Sequence, residues 1–235
     1  MIDSQGKRPA EALSQTIEEV IHKRVAALTE YQDANLAARY RARVQQFQSA
    51  ESAISGNTGA LADAVARNYY KVLAIKDEYE VARLFTDGRF AKALSENFEP
   101  GAKLRFHLAP PIFPKREQFA GQIIKQEYGS WVMLVFQLLA KLKWLRGSFL
   151  DPFNLLLERR MERKDIRDYE LLVNQIVRGL TENNLKAAAE LAAVPAQIRG
   201  FGYIKEDNRK VAKERQKKLL QNFNDLRKAN VHAAE

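Results

Sequence analysis

The chain has 235 residues, 46% hydrophobic and 29% charged, with no cysteine and a formal net charge of +9. This composition excludes a disordered chain, a disulfide scaffold and any cysteine-ligated centre, iron–sulfur clusters included. The length suffices to bury a substantial core, as one module or as two closely packed halves.

Residues 1–12 are polar, lack the apolar core of a secretory signal, and read as a tail that is disordered or introduced by cloning. Helical periodicity begins with Ile17, Val20, Ile21, Val25, Leu28 and Tyr31, and Thr16 with Glu19 has the spacing of a capping box. No Gly or Pro interrupts before Gly56, so the first helix is expected to run on through Ala34–Tyr40. Ser52–Gly59 reads as a loop. A second stripe, Leu61, Val65, Tyr69, Val72 and Leu73, is expected to continue past Tyr79 and Leu84 until Asp87-Gly88, followed by a short helix over Phe90–Phe98. Leu104, Phe106 and Leu108 alternate with Arg105, His107 and Ala109, and Pro110, Pro111 and Pro114 forbid helix there, which predicts an extended strand or arm. Lys115–Glu127 is polar and carries no predicted element.

Trp131–Ala140 is the longest apolar run; Lys141 and Lys143 end it well short of the about 20 residues of a membrane span, and it reads as a buried helix reaching Leu145. Asp151 as N-cap and Pro152 at the first helical position start a long helix whose stripe runs from Phe153 to Leu180, with Gly179 as its stop. A shorter helix covers Leu185–Ala193, Pro195 breaks the chain, and a final helix covers Asp207–Lys228. Residues 229–235 read as a frayed tail. No fixed-period repeat appears. The fold class is therefore mainly α: long antiparallel helices packed as a bundle-like module over 13–228, with one extended arm near 103–113 and candidate halves at 13–100 and 101–228.

Charge is uneven. Arg199–Lys228 holds ten Lys or Arg against four acids, which suits a solvated outer face, an acidic partner domain or nucleic-acid phosphates, with no nucleic-acid motif to favour the last. His107 could carry a proton near neutrality, but no nucleophile or orienting carboxylate stands at readable spacing, so a structural hydrogen bond is preferred. Three scattered histidines make no metal site, and no Walker loop, Gly-x-Gly-x-x-Gly or Gly-x-Ser-x-Gly occurs. Asn183-Asn184 reads as a helix start capped by Thr181.

Three strings mix charged residues with aromatic or Gly/Pro residues in an order that no simple periodicity demands, Lys76-Asp77-Glu78-Tyr79-Glu80-Val81-Ala82-Arg83-Leu84, Leu104-Arg105-Phe106-His107-Leu108-Ala109-Pro110-Pro111 and Gln197-Ile198-Arg199-Gly200-Phe201-Gly202-Tyr203-Ile204-Lys205, and the charged string Glu158-Arg159-Arg160-Met161-Glu162-Arg163 accompanies them. With these the chain resembles, from about Ile17 to about Phe223, the C-terminal region of fused indolepyruvate ferredoxin oxidoreductases of the 2-oxoacid:ferredoxin oxidoreductase family. The resemblance implies a parent enzyme that decarboxylates an aryl-pyruvate oxidatively, using thiamine diphosphate, iron–sulfur clusters and coenzyme A, and passes electrons to ferredoxin. The chain lacks that chemistry: it has no cluster ligand, and Thr86-Asp87-Gly88 is too far from Asn183-Asn184, and has the wrong first residue, for a thiamine diphosphate motif. The expectation is a non-catalytic module without its own cofactor, located in the cytoplasm, contacting other domains or subunits of the parent or another copy of itself, and not a membrane. The alternatives are a basic helical nucleic-acid binder and a helical domain that binds a phosphate-bearing ligand such as coenzyme A. Asp77, Glu78, Arg83, Arg105, His107, Arg159, Arg160, Arg199 and Lys205 form the candidate polar cluster, structural or interdomain. Arg105, His107 and Arg199 are expected to hold the extended arm against the helices.

Overall fold

Thr16 opens the first helix, α1 (Ile17–Tyr31), with the expected capping box: its hydroxyl accepts the Glu19 amide, and the Glu19 carboxylate accepts the Thr16 amide, each at 3.3 Å. In the computed structural model, which describes residues 16–99, 101–109, 118–119, 122–123, 125–200 and 202–232, the helix does not continue toward Gly56. It ends at Tyr31, and Asp33 starts α2 (Ala34–Ser55) by accepting the Leu36 amide at 2.8 Å. A short Asp side chain that captures a backbone N–H offers the chain an alternative to helix continuation, which hydrophobic period alone does not reveal. The second stripe divides in the same way. α3 (Ala60–Leu73) stops, and Asp77 caps α4 (Glu78–Thr86) through the Glu80 amide at 2.8 Å.

The short helix α5 (Arg89–Asn97) follows as expected. The arm is a strand, β1 (Phe106–Leu108), with Phe106 buried and His107 exposed, as the alternation requires. Two short strands, β2 (Gln118–Phe119) and β3 (Gln122–Ile123), pair antiparallel with each other. β1 pairs antiparallel with β4 (Gln126–Tyr128), in the register Phe106 to Tyr128 and Leu108 to Gln126. The arm is thus held by a backbone ladder, contrary to the expectation that its side chains would have to hold it, and Gln126 and Glu127, for which no element was expected, belong to that ladder. Pro110, Pro111 and Pro114 lie outside the described residues, as do residues 1–12 and 233–235.

α6 (Val132–Lys141) runs into a 3-10 turn at 143–145. Asp151 and Pro152 start a 3-10 turn, 152–155, ahead of α7 (Leu157–Arg178). A turn at 182–184 then leads into α8 (Leu185–Ala192), where Asn184 is buried and its side chain bonds Thr181 N and Gly179 O at 2.9 and 2.8 Å. After a 3-10 turn at 194–197, α9 (Gly202–His232) begins before the expected Asp207. The fold is mainly α. Among the described residues no helix is long and apolar enough to cross a membrane.

The chain divides into two units: 1–74, 167–200 and 205–235 form unit 1, and 75–166 with 201–204 form unit 2. In unit 1, α3 packs against α1, α2 and α8 around Leu28, Tyr40, Phe47, Leu61, Val65, Ile176 and Leu191, all fully buried. Tyr40, Tyr69 and Tyr169 stack in a row, with centroids 6.1 and 6.0 Å apart. The outer hydroxyls donate to Ala66 O and Ala192 O at 2.9 and 3.0 Å. The middle one, Tyr69, donates to Glu170, which also receives Arg39 at 2.6 Å. Arg43 reaches Asn174 at 2.6 Å. Because 39 to 170 and 43 to 174 advance together, α2 and this part of α7 run parallel.

In unit 2, Ala82, Phe106, Val132 and Phe136 form the core, and Phe85 stacks on Phe136 at 5.1 Å and meets Phe90 and Phe106 edge to face. The apolar run 131–140 is not the buried helix its composition suggested. Val132 and Phe136 are inside, while Trp131, Leu134, Val135 and Leu138 are exposed.

One buried acid shows how a helix start can be served from elsewhere in the chain. Gly59, the N-cap of α3, has no side chain to offer. Glu51 of α2 instead accepts the Leu61 and Ala62 amides at 3.1 and 2.9 Å. A Cβ at position 59 would lie 2.9 Å from Glu51 Oε1, so a larger residue there displaces this carboxylate from the two amides. Glu51→Ala leaves two buried N–H groups without an acceptor and should cost unit 1 roughly 1–3 kcal/mol, with a smaller loss for Glu51→Gln; paired urea denaturation curves measure both.

Candidate functional site: an ion network at the start of α4

The first turn of α4 concentrates the polar residues of unit 2. Asp77 is 5% exposed, and its Oδ1, besides capping α4, accepts Arg146 Nη2 at 3.0 Å while Oδ2 accepts Arg146 Nε at 2.6 Å. A carboxylate in this position is satisfied by a two-pronged guanidinium and a backbone amide together, which is what allows it to be buried charged. The same guanidinium lies 5.5 Å from the centre of the Tyr79 ring. Tyr79 is buried, and its hydroxyl donates to Asp151 Oδ1 at 3.0 Å; Asp151 also accepts the Phe153 and Gly147 amides at 3.0 and 2.8 Å. Burial and the Asp151 hydrogen bond push the Tyr79 hydroxyl well above the ordinary phenol range.

Beside this lies a second set. Glu78 accepts Arg159 Nε at 3.1 Å, and Arg159 also binds Glu162, which is buried one turn further along α7. Burial would lower the Arg159 pKa, but Glu162, Glu78 and Glu158 outweigh it and hold it above the usual arginine value. For Glu78 the balance is reversed: burial raises its carboxyl above the ordinary value against the pull of Arg159. Arg83 grips Glu80, three residues before it on α4, with two bonds of 2.8 Å and also contacts Asp87 at 3.4 Å.

The predicted cluster therefore divides. Asp77, Glu78, Arg83 and Arg159 belong to the network. Arg160 is exposed on α7. Arg105 pairs with Glu127 at the surface, with 64% and 46% of their side chains exposed, and His107 beside it is exposed. These side chains therefore do not pin the arm, since the β1–β4 ladder and the Phe106 ring already do so. Arg199 and Lys205 fall in unit 1, where exposed Arg199 donates to Ala196 O at 2.9 Å. Burial lowers the Lys71 pKa, and the like charges of Arg199 and Lys205 lower it further, while the Lys71 ammonium donates to Pro195 O at 2.6 Å. On α9, Asp207–Lys210 and Glu214–Lys217 pair three residues apart on a solvated face, whereas Arg209, which binds Glu206 at 2.6 Å, is buried.

Sequence reading missed Arg146, Glu162 as a buried partner, and the Arg39–Glu170–Tyr69 set. The last had a readable signal: Arg39 and Arg43 stand four apart on one helix and Glu170 and Asn174 four apart on another, a matched pair of steps. Arg146 had none, because it lies in an irregular segment.

The carboxylates of the network all accept hydrogen bonds, and its arginines are held in ion pairs. The network is built to clamp. Among the described residues no group of three or more His, Cys, Asp or Glu could hold a metal ion.

Fold and network together define a helical module locked by buried ion pairs. The family of unknown function DUF6537 matches residues 17–218, and the chain belongs to that family. No curated protein and no solved structure matches it.

Arg146→Ala strands a buried Asp77 and should destabilise unit 2 by roughly 3 kcal/mol. Arg105→Ala opens only an exposed pair and should cost less than about 1 kcal/mol; chemical denaturation of both variants gives the contrast. Glu78 supplies a pH test. A carboxyl whose pKa is raised by folding contributes most below its ordinary pKa, and the contribution falls as pH rises through the raised value. The stability of wild type relative to Glu78→Gln should therefore decline from about pH 4 toward neutrality, and urea melts at several pH values would reveal an opposite slope.

Proposed function

We propose that the chain is a non-catalytic module of an aryl-pyruvate ferredoxin oxidoreductase of the indolepyruvate type, with an architectural, interdomain or subunit-contact role. Three features support this reading. The four strings at 76–84, 104–111, 158–163 and 197–205 carry the resemblance to that enzyme. The absence of cysteine leaves cluster ligation to other parts of the parent. The observation that carries the contact role is the open apolar face along α6, where Trp131, Leu134 and Leu138 are exposed.

In this reading the parent converts an aryl-pyruvate and coenzyme A to an acyl-coenzyme A and carbon dioxide, with two electrons passing to ferredoxin. Thiamine diphosphate and the clusters are held on other domains, and the buried pairs Asp77–Arg146 and Glu78–Arg159 keep unit 2 rigid enough to be contacted.

A second reading draws on the positive charge of Arg199 and Lys205 that acts on Lys71: binding of a phosphate-bearing ligand such as coenzyme A. Inorganic phosphate and coenzyme A would then raise the thermal midpoint of the chain, and Lys71→Met would abolish the shift.

The purified chain should be colourless and should not turn over indolepyruvate with coenzyme A, thiamine diphosphate and an electron acceptor. Added to a parent enzyme from which this region has been deleted, it should co-elute with it. Turnover by the chain alone, or no association with the deleted parent, would overturn the proposal.

A further inference from the structure

Four tyrosine rings form a row through unit 1. Tyr70 is partly exposed and meets Tyr40 edge to face at 6.5 Å, Tyr40 stacks on Tyr69 at 6.1 Å, and Tyr69 stacks on Tyr169 at 6.0 Å. Tyr40, Tyr69 and Tyr169 are buried, the first two completely. A phenol is among the most easily oxidised side chains, and rings this close pass an electron vacancy from one to the next.

The vacancy settles where the phenol can also lose its proton. Burial pushes the hydroxyls of Tyr40, Tyr69 and Tyr169 above the ordinary phenol range, that of Tyr69 to about 12. None of the three ionises near neutral pH, so each gives up an electron only together with its proton. Tyr40 and Tyr169 donate to the backbone oxygens of Ala66 and Ala192, and an amide carbonyl is too weak a base to take the proton. Tyr69 donates to Glu170 Oε1, a carboxylate, which can take it.

Two arginines reinforce this placement. Arg39 Nε donates to the Tyr69 hydroxyl oxygen at 3.1 Å and to Glu170 Oε1 at 3.0 Å, so the phenolic oxygen keeps a hydrogen bond after its proton has left. At the outer end of the row the Arg24 guanidinium lies 4.0 Å from the centre of the Tyr70 ring. A cation on the face of a ring opposes the removal of an electron from it, which drives a vacancy inward. Tyr79 of unit 2 also donates to a carboxylate, Asp151. Its neighbouring ring is Phe153, which does not relay a vacancy, and the Arg146 guanidinium faces it at 5.5 Å.

We propose that Tyr69 is a one-electron redox site, a sink for oxidising radicals, in which the phenol gives its electron to the oxidant and its proton to Glu170. The Tyr69 O–H bond breaks and an O–H bond forms on Glu170, leaving a neutral phenoxyl radical and a carboxylic acid, while the oxidant is reduced by one electron. A one-electron reductant of the ascorbate class reverses the step, and the proton returns from Glu170. Burial keeps the radical from coupling to a tyrosine of another molecule, so the state is long-lived. The site lies within unit 1 and is independent of the parent-enzyme reading.

Flash oxidation of the full chain by photogenerated ruthenium(III) tris-bipyridine tests the site. Wild type should show a long-lived tyrosyl radical by electron paramagnetic resonance, formed more slowly in heavy water because electron and proton leave together. Tyr69→Phe keeps the ring row and should lose the long-lived signal. Glu170→Gln keeps a polar partner that takes no proton and should lose it too, with both circular dichroism spectra unchanged. Tyr169→Phe and Tyr79→Phe should retain it. The idea fails if wild type forms no long-lived radical or forms it at a rate indifferent to heavy water. It fails equally if the signal survives Tyr69→Phe or Glu170→Gln, or vanishes in Tyr169→Phe or Tyr79→Phe.

Discussion

A carboxylate buried at the start of a helix ties local structure to tertiary structure throughout this protein. A helix start leaves backbone N–H groups unpaired, and a buried carboxylate is tolerable only when it collects several donors. Asp77 meets both conditions at once: it takes an amide from its own helix and a guanidinium from Arg146, 69 residues away. Asp151 gathers the amides of Gly147 and Phe153 and then the Tyr79 hydroxyl. Glu51 does the same for α3 from a neighbouring helix. In each case the helix start and the long-range contact are a single interaction, so neither forms without the other.

This coupling explains which parts of the fold are legible in the sequence. The capping box at Thr16, the extent of α5, the alternation through Phe106 and the long apolar stripe of α7 depend on local pattern, and local pattern reveals them. The breaks at 32–33 and 74–77 escape it, because the hydrophobic period continues across both. They are set by Asp33 and Asp77, whose capping role is visible only once an amide is seen to be captured. β4, with the sequence Gln-Glu-Tyr, has little strand character of its own and exists because β1 lies beside it. α6 misleads in the opposite sense: composition reads as burial, but composition cannot distinguish a covered face from an open one.

The candidate site was legible to a similar degree. The strings at 76–84 and 158–163 stand out for their order of charges, and the structure gives that order a physical meaning, since Glu78 and Arg159, one from each string, bind each other. The string at 197–205 has a different basis: Gly200 and Gly202 adopt positive φ values of 95° and 56°, a backbone that side chains resist. The two cores also differ in chemistry. Unit 1 stacks tyrosines whose hydroxyls must each find an acceptor, which fixes them singly in place, while unit 2 interlocks phenylalanines with no such requirement.

The division of the chain into units has a consequence for how the protein is made. Residues 75–166 of unit 2 are inserted in sequence between the two parts of unit 1 that must pack together, α1–α3 and the segment from 167 onward. During synthesis, Tyr69 and Leu61 leave the ribosome about a hundred residues before Tyr169 and Leu191, their companions in the core, a delay of several seconds at ordinary elongation rates. The N-terminal helices therefore wait with their apolar faces open, while nearly all of the inserted unit is already in hand and free to fold. α1–α3 are made before the inserted unit yet belong to the unit that is completed after it, and over that interval their exposed tyrosines and leucines need protection.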